Sequence, residues 1–235
     1  MNGFLSVAGL ALSLLACLSD PISSTVPASP DIVPVPAYRF LSLGDSYTIG
    51  ESVPVSERWS VQLAAMLREE GVPLQVPTIL AQTGWTTAEL QFAIQQAKDT
   101  STYDLVSLLI GVNNQYRGQS LGRYRTEFKE LLDLSTHFAR GRPERVFVLS
   151  IPDWGVTPAG LSRRQKTATE IDAFNTVAKE ECAKAGILFI DITPLSRTAL
   201  NNPSLIASDN LHFSGKMYKL WAEEAFLTVK RMVTK

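Results

Sequence analysis

Residues 38–46 read Tyr-Arg-Phe-Leu-Ser-Leu-Gly-Asp-Ser, a short apolar run that stops at a glycine and passes at once to two small polar residues. An apolar run of this length, closed by a turn signal, predicts a strand buried on both faces. The same pattern recurs downstream. Asp104–Ile110 (DLVSLLI) is almost continuously apolar and is followed by Gly111, while Arg145–Ile151 (RVFVLSI) and Ile187–Ile192 (ILFIDI) repeat it. Leu74–Leu80 is a weaker strand, broken by Pro77. Helical spacing fills the gaps. Residues 57–70 place Trp59, Leu63, Met66 and Leu67 on one face and close at Gly71. Thr86–Lys98 opens with Thr86 or Thr87 as N-cap and Glu89 in the first turn. Further helices are expected over 120–139, 163–185 and 214–233, the last with Ser214 as cap. Strands alternating with helices predict an α/β fold, a five-stranded parallel sheet covered by helices on both faces. Sites in such sheets form outside the carboxyl ends of the strands, so the residues just after each strand are the ones to examine.

The first 36 residues have a different character. Phe4–Leu18 is apolar apart from two serines, and its 15 residues are fewer than the roughly 20 a spanning helix needs. It reads as the apolar region of a secretory signal over residues 1–18. Leu14-Leu15-Ala16-Cys17 resembles the lipobox of bacterial lipoproteins, in which the cysteine is lipidated, although no Lys or Arg precedes the apolar run. In a plain cleavable signal, or an uncleaved anchor, Cys17 would be incidental. Residues 19–36 hold five prolines with serines and little charge, which suits an extended tether. The folded domain is expected over 37–235, exported to a bacterial cell envelope and held at the membrane by a lipid, or released to the periplasm or medium. With Cys17 lipidated, Cys182 has no disulfide partner, and its helical surroundings mark it as a packed side chain. Lys+Arg 22 against Asp+Glu 23 offers no basic excess, which argues against nucleic acid as a partner. Oligomeric state is not legible.

The polar residues after the strands carry the chemistry. Ser46 stands at the turn that leaves the first strand. Alone, a serine there is more often a helix cap than a nucleophile. His212 is one of two histidines and lies in Asp209-Asn210-Leu211-His212, between the fifth strand and the last helix. A hydroxyl needs a base to take its proton, and the base needs an acceptor on its other ring nitrogen. Asp209, three residues back, can curl through one turn to supply that acceptor. An oxyanion needs donors: the Ser46 N–H, the Gly84 N–H after the second strand, and the Asn113 amide after the third. For Asn113 an Asx turn is the structural alternative. Trp85, Tyr116 and Trp154 fall in loops on the same edge, as possible substrate contacts or as local packing. His137 closes a helix, where a structural role is expected. Asp153 is given no catalytic role.

Gly44-Asp45-Ser46, Gly84, Gly111-Val112-Asn113-Asn114 and the Asp209/His212 pair match in order the four blocks of the SGNH (GDSL-type) hydrolases, and the resemblance spans 38–235. It implies a flavodoxin-like three-layer α/β/α sandwich that cleaves esters, or thioesters, without metal or other cofactor. Ser46 is then the nucleophile, His212 the base, Asp209 its orienter, and Ser46, Gly84 and Asn113 the oxyanion hole. Asn114 stands where many members have Asp, and Phe213 where many have Pro; both bear on loop geometry. The wider stretches are similar to bacterial GDSL esterases and lipases.

Two other classes stay open on the sequence. The same triad would serve an acyltransferase. A Ser/Thr-rich loop after the first strand of such a sheet would also suit a phosphate- or flavin-binding module, though that leaves Asp209 and His212 unused. The partner expected is a small-molecule, lipid or acyl-sugar ester. The compact domain leaves little room for a lid, which favours acetyl to hexanoyl esters; a membrane tether favours lipid substrates instead.

Overall fold

The central strand pattern is decided by burial. In the computed structural model, which describes residues 37–234 and Gly3, the strands are β1 (Phe40–Gly44), β2 (Thr78–Ala81), β3 (Leu105–Leu109), β4 (Val146–Leu149) and β5 (Leu188–Ile190). The Leu14–Cys17 tetrapeptide and the tether over 19–36 lie outside the described residues. All pairings are parallel, in the order β2-β1-β3-β4-β5. Every residue of β1, β3 and β4 is buried, as expected of strands covered on both faces, whereas the edge strands β2 and β5 are half-open. The two serines that interrupt the apolar runs of β1 and β3 sit opposite each other, and Ser42 Oγ and Ser107 Oγ share a 2.9 Å hydrogen bond. Each satisfies the other inside the sheet.

The helices are α1 (Ser46–Ile49), α2 (Trp59–Glu69), α3 (Thr87–Ala97), α4 (Val112–Tyr116), α5 (Leu121–Phe138), α6 (Arg164–Ala185), α7 (Thr193–Arg197) and α8 (Gly215–Thr234). α2 packs on α8, and α5 on both α3 and α6, which gives a helical layer on each face of the sheet. The result is the three-layer α/β/α sandwich. Trp59, Trp221, Tyr124, Phe147 and Phe213 are fully buried in its core. Cys182 is buried in α6, and burial pushes its thiol up to about 12, so it is a packed side chain and not a nucleophile.

Three local expectations are corrected. β2 begins at Thr78 rather than at 74: Pro77 cannot donate to a ladder, and Leu74 keeps only an isolated bridge to Tyr38. β5 ends at Ile190 because the next free amides leave the ladder; Ile192 and Thr193 N–H donate to Ser150 Oγ at 2.8 and 3.0 Å. Ser214 precedes α8, but its hydroxyl donates to the Ser204 carbonyl at 2.8 Å instead of capping the helix.

From β1 the chain crosses to β2 on one side and then to β3 on the other. The loops after β1 and β3 therefore diverge, and a crevice opens at their carboxyl ends.

Candidate active site

Ser46 is the first residue of α1, directly beyond β1. Gly44 makes that abrupt turn possible: a Cβ there would stand 2.4 Å from the Leu109 carbonyl oxygen and 2.2 Å from Thr48 Oγ1. Only a residue without a side chain allows β1 and β3 to end so close together. Asp45 caps α1, its Oδ1 accepting from Tyr47 N–H at 3.1 Å. As the first residue of a helix, Ser46 carries one of the N–H groups without an intrahelical acceptor.

Asp45 is fully buried, and its Oδ2 has no hydrogen-bond partner. Burial pushes its carboxyl up to about 7, against the lowering effect of amide donors from Tyr47, Asp45 itself and Gly111.

Residues 207–213 form a tight loop in front of α8. Asp209 Oδ1 accepts from the Leu211 and His212 amides, both at 2.9 Å. Asn210, at φ 63, takes the left-handed conformation that Asn tolerates. The same turn brings Asp209 Oδ2 to 2.6 Å from His212 Nδ1. Ser52 Oγ, from the loop after α1, donates to that Oδ2 at 2.7 Å. Partial burial pushes the Asp209 carboxyl up, but these donors outweigh it and hold it well below the usual carboxylate range. The ring of Tyr47 meets the imidazole edge-on at 5.8 Å. The carboxylate thus fixes Nδ1 as the protonated nitrogen and leaves Nε2 to accept.

Ser46, Asn113 and His212 line one cavity of about 440 Å³, with Tyr116, Trp154 and Leu211 in its walls. No hydrogen bond joins Ser46 Oγ to His212 Nε2 in this structure, a contact that commonly tightens only with substrate in place. A hydroxyl and an oriented imidazole sharing one cavity can pass a proton.

Asn113 Nδ2 donates to the Trp85 carbonyl at 2.9 Å, which fixes the amide and leaves its second N–H. Gly84 adopts φ +88, and its carbonyl accepts from Arg117 at 2.7 Å. It does not line the cavity, and neither does Trp85. Trp85 packs against the core and lines a separate shallow depression along α3 with Ala88 and Phe92. Tyr116 and Trp154 do reach the cavity, in an edge-on pair at 5.5 Å. Trp154 is held by its indole N–H donating to Gln115 Oε1 at 2.9 Å.

The residues flanking the site are structural. Asn114 is fully buried; it accepts from the Thr87 amide at 3.1 Å and donates to Thr87 Oγ1 and Gln119 Oε1. It therefore ties the loop after β3 to the start of α3. Phe213 packs between Tyr47 and Trp221. Asp153 caps the turn that carries Trp154 and pairs with Arg197 at 2.9 Å. His137 lies exposed in the last turn of α5, which leads back to the opposite edge of the sheet. Among the described residues no three His, Cys, Asp or Glu side chains gather as a metal-ligand set.

Sequence reading missed Ser52, Ser162 and Arg163. Ser52 is at φ 65 and holds Asp209; Ser162 and Arg163 line the cavity from the turn before α6. Ser52 follows the Ser46 block by only six positions, which was its one available signal. The other two come from a segment with no motif.

The sequence profile of the GDSL-like Lipase/Acylhydrolase family matches residues 42–220. No curated protein sequence matches the chain at a significant level. Among solved structures, the psychrotrophic esterase EstA from Pseudoalteromonas sp., inhibited by monoethylphosphonate, is similar at 16% identity and a TM-score of 0.65, covering 84% of this chain and 100% of its own. TesA is similar at 17% identity and a TM-score of 0.64, covering 83% and 99%. A catalytic mutant of the acetylxylan esterase Axe2 from Geobacillus stearothermophilus gives 15% identity and a TM-score of 0.66, covering 83% and 95%. These likenesses bear on the fold.

Proposed function

This carboxylic ester hydrolase belongs to the GDSL-like lipase/acylhydrolase family, and from that premise we propose that it works through an acyl-enzyme on Ser46. The observation that carries the reading is the 2.6 Å Asp209–His212 contact beside a cavity that Ser46 and His212 both line.

Ser46 Oγ attacks the ester carbonyl while His212 Nε2 takes its proton, and the Asp209 carboxylate stabilises the imidazolium that forms. The tetrahedral oxyanion is held by the Ser46 amide and the free N–H of the Asn113 side chain. Gly84 is assigned the third N–H by its match to the family's second block; it precedes Trp85, whose carbonyl holds Asn113, but does not line the cavity in this structure. His212 then protonates the leaving alkoxide, and in the second half it activates the water that releases the acid. Hydrolysis of p-nitrophenyl esters by the whole chain and its Ser46→Ala and His212→Ala variants tests this. Activity is expected to fall by about 10³-fold or more in both; full activity in Ser46→Ala would overturn it. Adding alcohol acceptors separates a hydrolase, which releases only free acid, from a transferase, which forms new ester.

The compact domain leaves little room for a lid over the cavity, which favours short acyl groups. Turnover is expected to be faster from acetyl to hexanoyl than at dodecanoyl and beyond, and a maximum at long chains would count against this. The chain is further assigned to the bacterial cell envelope, tethered by lipid on Cys17. Cys17→Ala is expected to move the protein from the membrane to the soluble fraction, and an unchanged distribution would remove the anchor.

A further inference from the structure

The cavity beside Ser46 has an uneven charge. No carboxylate lines it, and apart from the imidazole of His212 its single ionisable group of either strong acid or strong base type is Arg163. Arg163 ends the short turn 161–163 that leads into α6, and its side chain is exposed. Among the described residues it has no ion-pair partner. The nearby acids are already engaged. Glu170 accepts from Gln115 at 2.7 Å and faces Lys166 at 3.7 Å, while Asp153, beneath Trp154, is paired with Arg197 at 2.9 Å. Asp209 is taken up by its four donors on the far side of His212.

A second recess, of about 70 Å³, adjoins the first and shares Tyr116, Trp154 and Arg163 with it; Lys166 and Glu170 also line it, the carboxylate already engaged by Gln115 and Lys166. Tyr116, which lines both recesses, is 61% exposed. An unpaired guanidinium beside two aromatic walls is suited to a flat or tetrahedral oxyanion, which it grips by two parallel N–H donors.

We propose that Arg163 selects ester substrates that carry an oxyanion, a carboxylate or a phosphate, and seats that group at the junction of the two recesses beside Tyr116 and Trp154. This rests on Ser46 being the nucleophile. Arg163 acts on binding and leaves the bond-breaking steps as they are. The anion takes up guanidinium donors that no protein acceptor uses, and the two-donor geometry beside the aromatic walls, rather than burial, gives the pair its selectivity.

The test compares kcat/KM for anionic and neutral esters of matched shape. On the leaving-group side, 4-acetoxybenzoate and 4-acetoxyphenyl phosphate are set against 4-acetoxybenzamide. On the acyl side, 4-nitrophenyl hydrogen adipate is set against 4-nitrophenyl hexanoate. The wild type is expected to favour at least one anionic ester, and Arg163→Ala to cut that anionic-to-neutral ratio about tenfold, mainly through KM. Arg163→Lys, which keeps the charge without the fork, is expected to fall between the two. Benzoate and phosphate arms show which oxyanion is preferred. A ratio that is the same in wild type and Arg163→Ala for every pair would overturn the proposal. Loss of the Ser46→Ala sensitivity of the neutral esters would instead strike at the nucleophile assignment.

Discussion

Asp209 accepts four hydrogen bonds, two from backbone amides, one from Ser52 and one from the imidazole it orients. Removing its charge by Asp209→Asn is expected to cost about 10³- to 10⁴-fold in kcat, by allowing the wrong tautomer at His212. Ser52→Ala removes one donor of four and is expected to cost only about three- to tenfold. The ranking is read from kcat in the ester assay. Asp45, the residue before Ser46, has the opposite electrostatics. Its carboxyl is raised to about 7 by burial, so the folded state holds a proton that the unfolded chain releases near the ordinary value of 3.8. Between those two pH values the native state binds more protons, and stability must fall as pH rises. Asp45→Asn carries no such charge. We expect urea denaturation to show the wild type losing on the order of 2–4 kcal/mol from pH 4 to pH 8 relative to the Asn variant. Parallel pH profiles for the two proteins would contradict this.

At the scale of elements, the start of α3 is the best-specified joint near the site. Thr86 and Glu89 form a capping box, and Asn114 reaches across from α4 to bond both the amide and the hydroxyl of Thr87. Thr87 Oγ1 in turn donates to Glu127 of α5. Asn114→Asp removes both side-chain donors and sets a carboxylate facing the Gln119 carbonyl oxygen, with Glu127 close behind Thr87. It is expected to destabilise the fold by about 1–3 kcal/mol, measured by urea denaturation. A departure from the common family pattern is thus tied to the hydroxyl it partners. Of the capping box the sequence shows Glu89 in the first turn and a cap at Thr86 or Thr87; the structure selects Thr86. The strands β1, β3 and β4 were readable, because their apolar runs are continuous. The start of β2 is set by Pro77, which the sequence shows, whereas the end of β5 depends on the Ile192 and Thr193 amides turning to Ser150 Oγ, which composition does not record. The loop position of Trp85 allows either substrate contact or local packing, and the structure takes packing, with the side chain against the core and along the α3 depression.

Over the whole molecule, the sheet order β2-β1-β3-β4-β5 turns separate loops into one wall. Hydrophobic periodicity predicts the layers but not this order, since each strand looks alike from its own sequence. Arg163 was invisible for the same reason: it reaches the cavity through the placement of α6 beyond β4, not through any spacing from Ser46. The buried core runs from Phe40 to Val233 and binds both helical layers to the sheet. A chain starting at Ala37 is therefore expected to unfold in one cooperative transition and to keep kcat/KM for acetyl esters within about twofold of the whole protein. Separate melting transitions, or a large loss of activity, would show that the first 36 residues contribute to the folded enzyme.

The acid and the base of this site sit three residues apart on one turn, each holding the other, with the backbone amides of that turn closing on the same carboxylate. A catalytic triad drawn from three distant segments has three separations to keep in tolerance. Here one of them is set by local chain geometry, and the tolerance problem shrinks to a single long gap, from the Asp209–His212 turn to Ser46. That gap is itself bridged: Ser52, six residues beyond Ser46, donates to the same Asp209 carboxylate, so the turn that orients the imidazole is also moored to the segment that carries the hydroxyl.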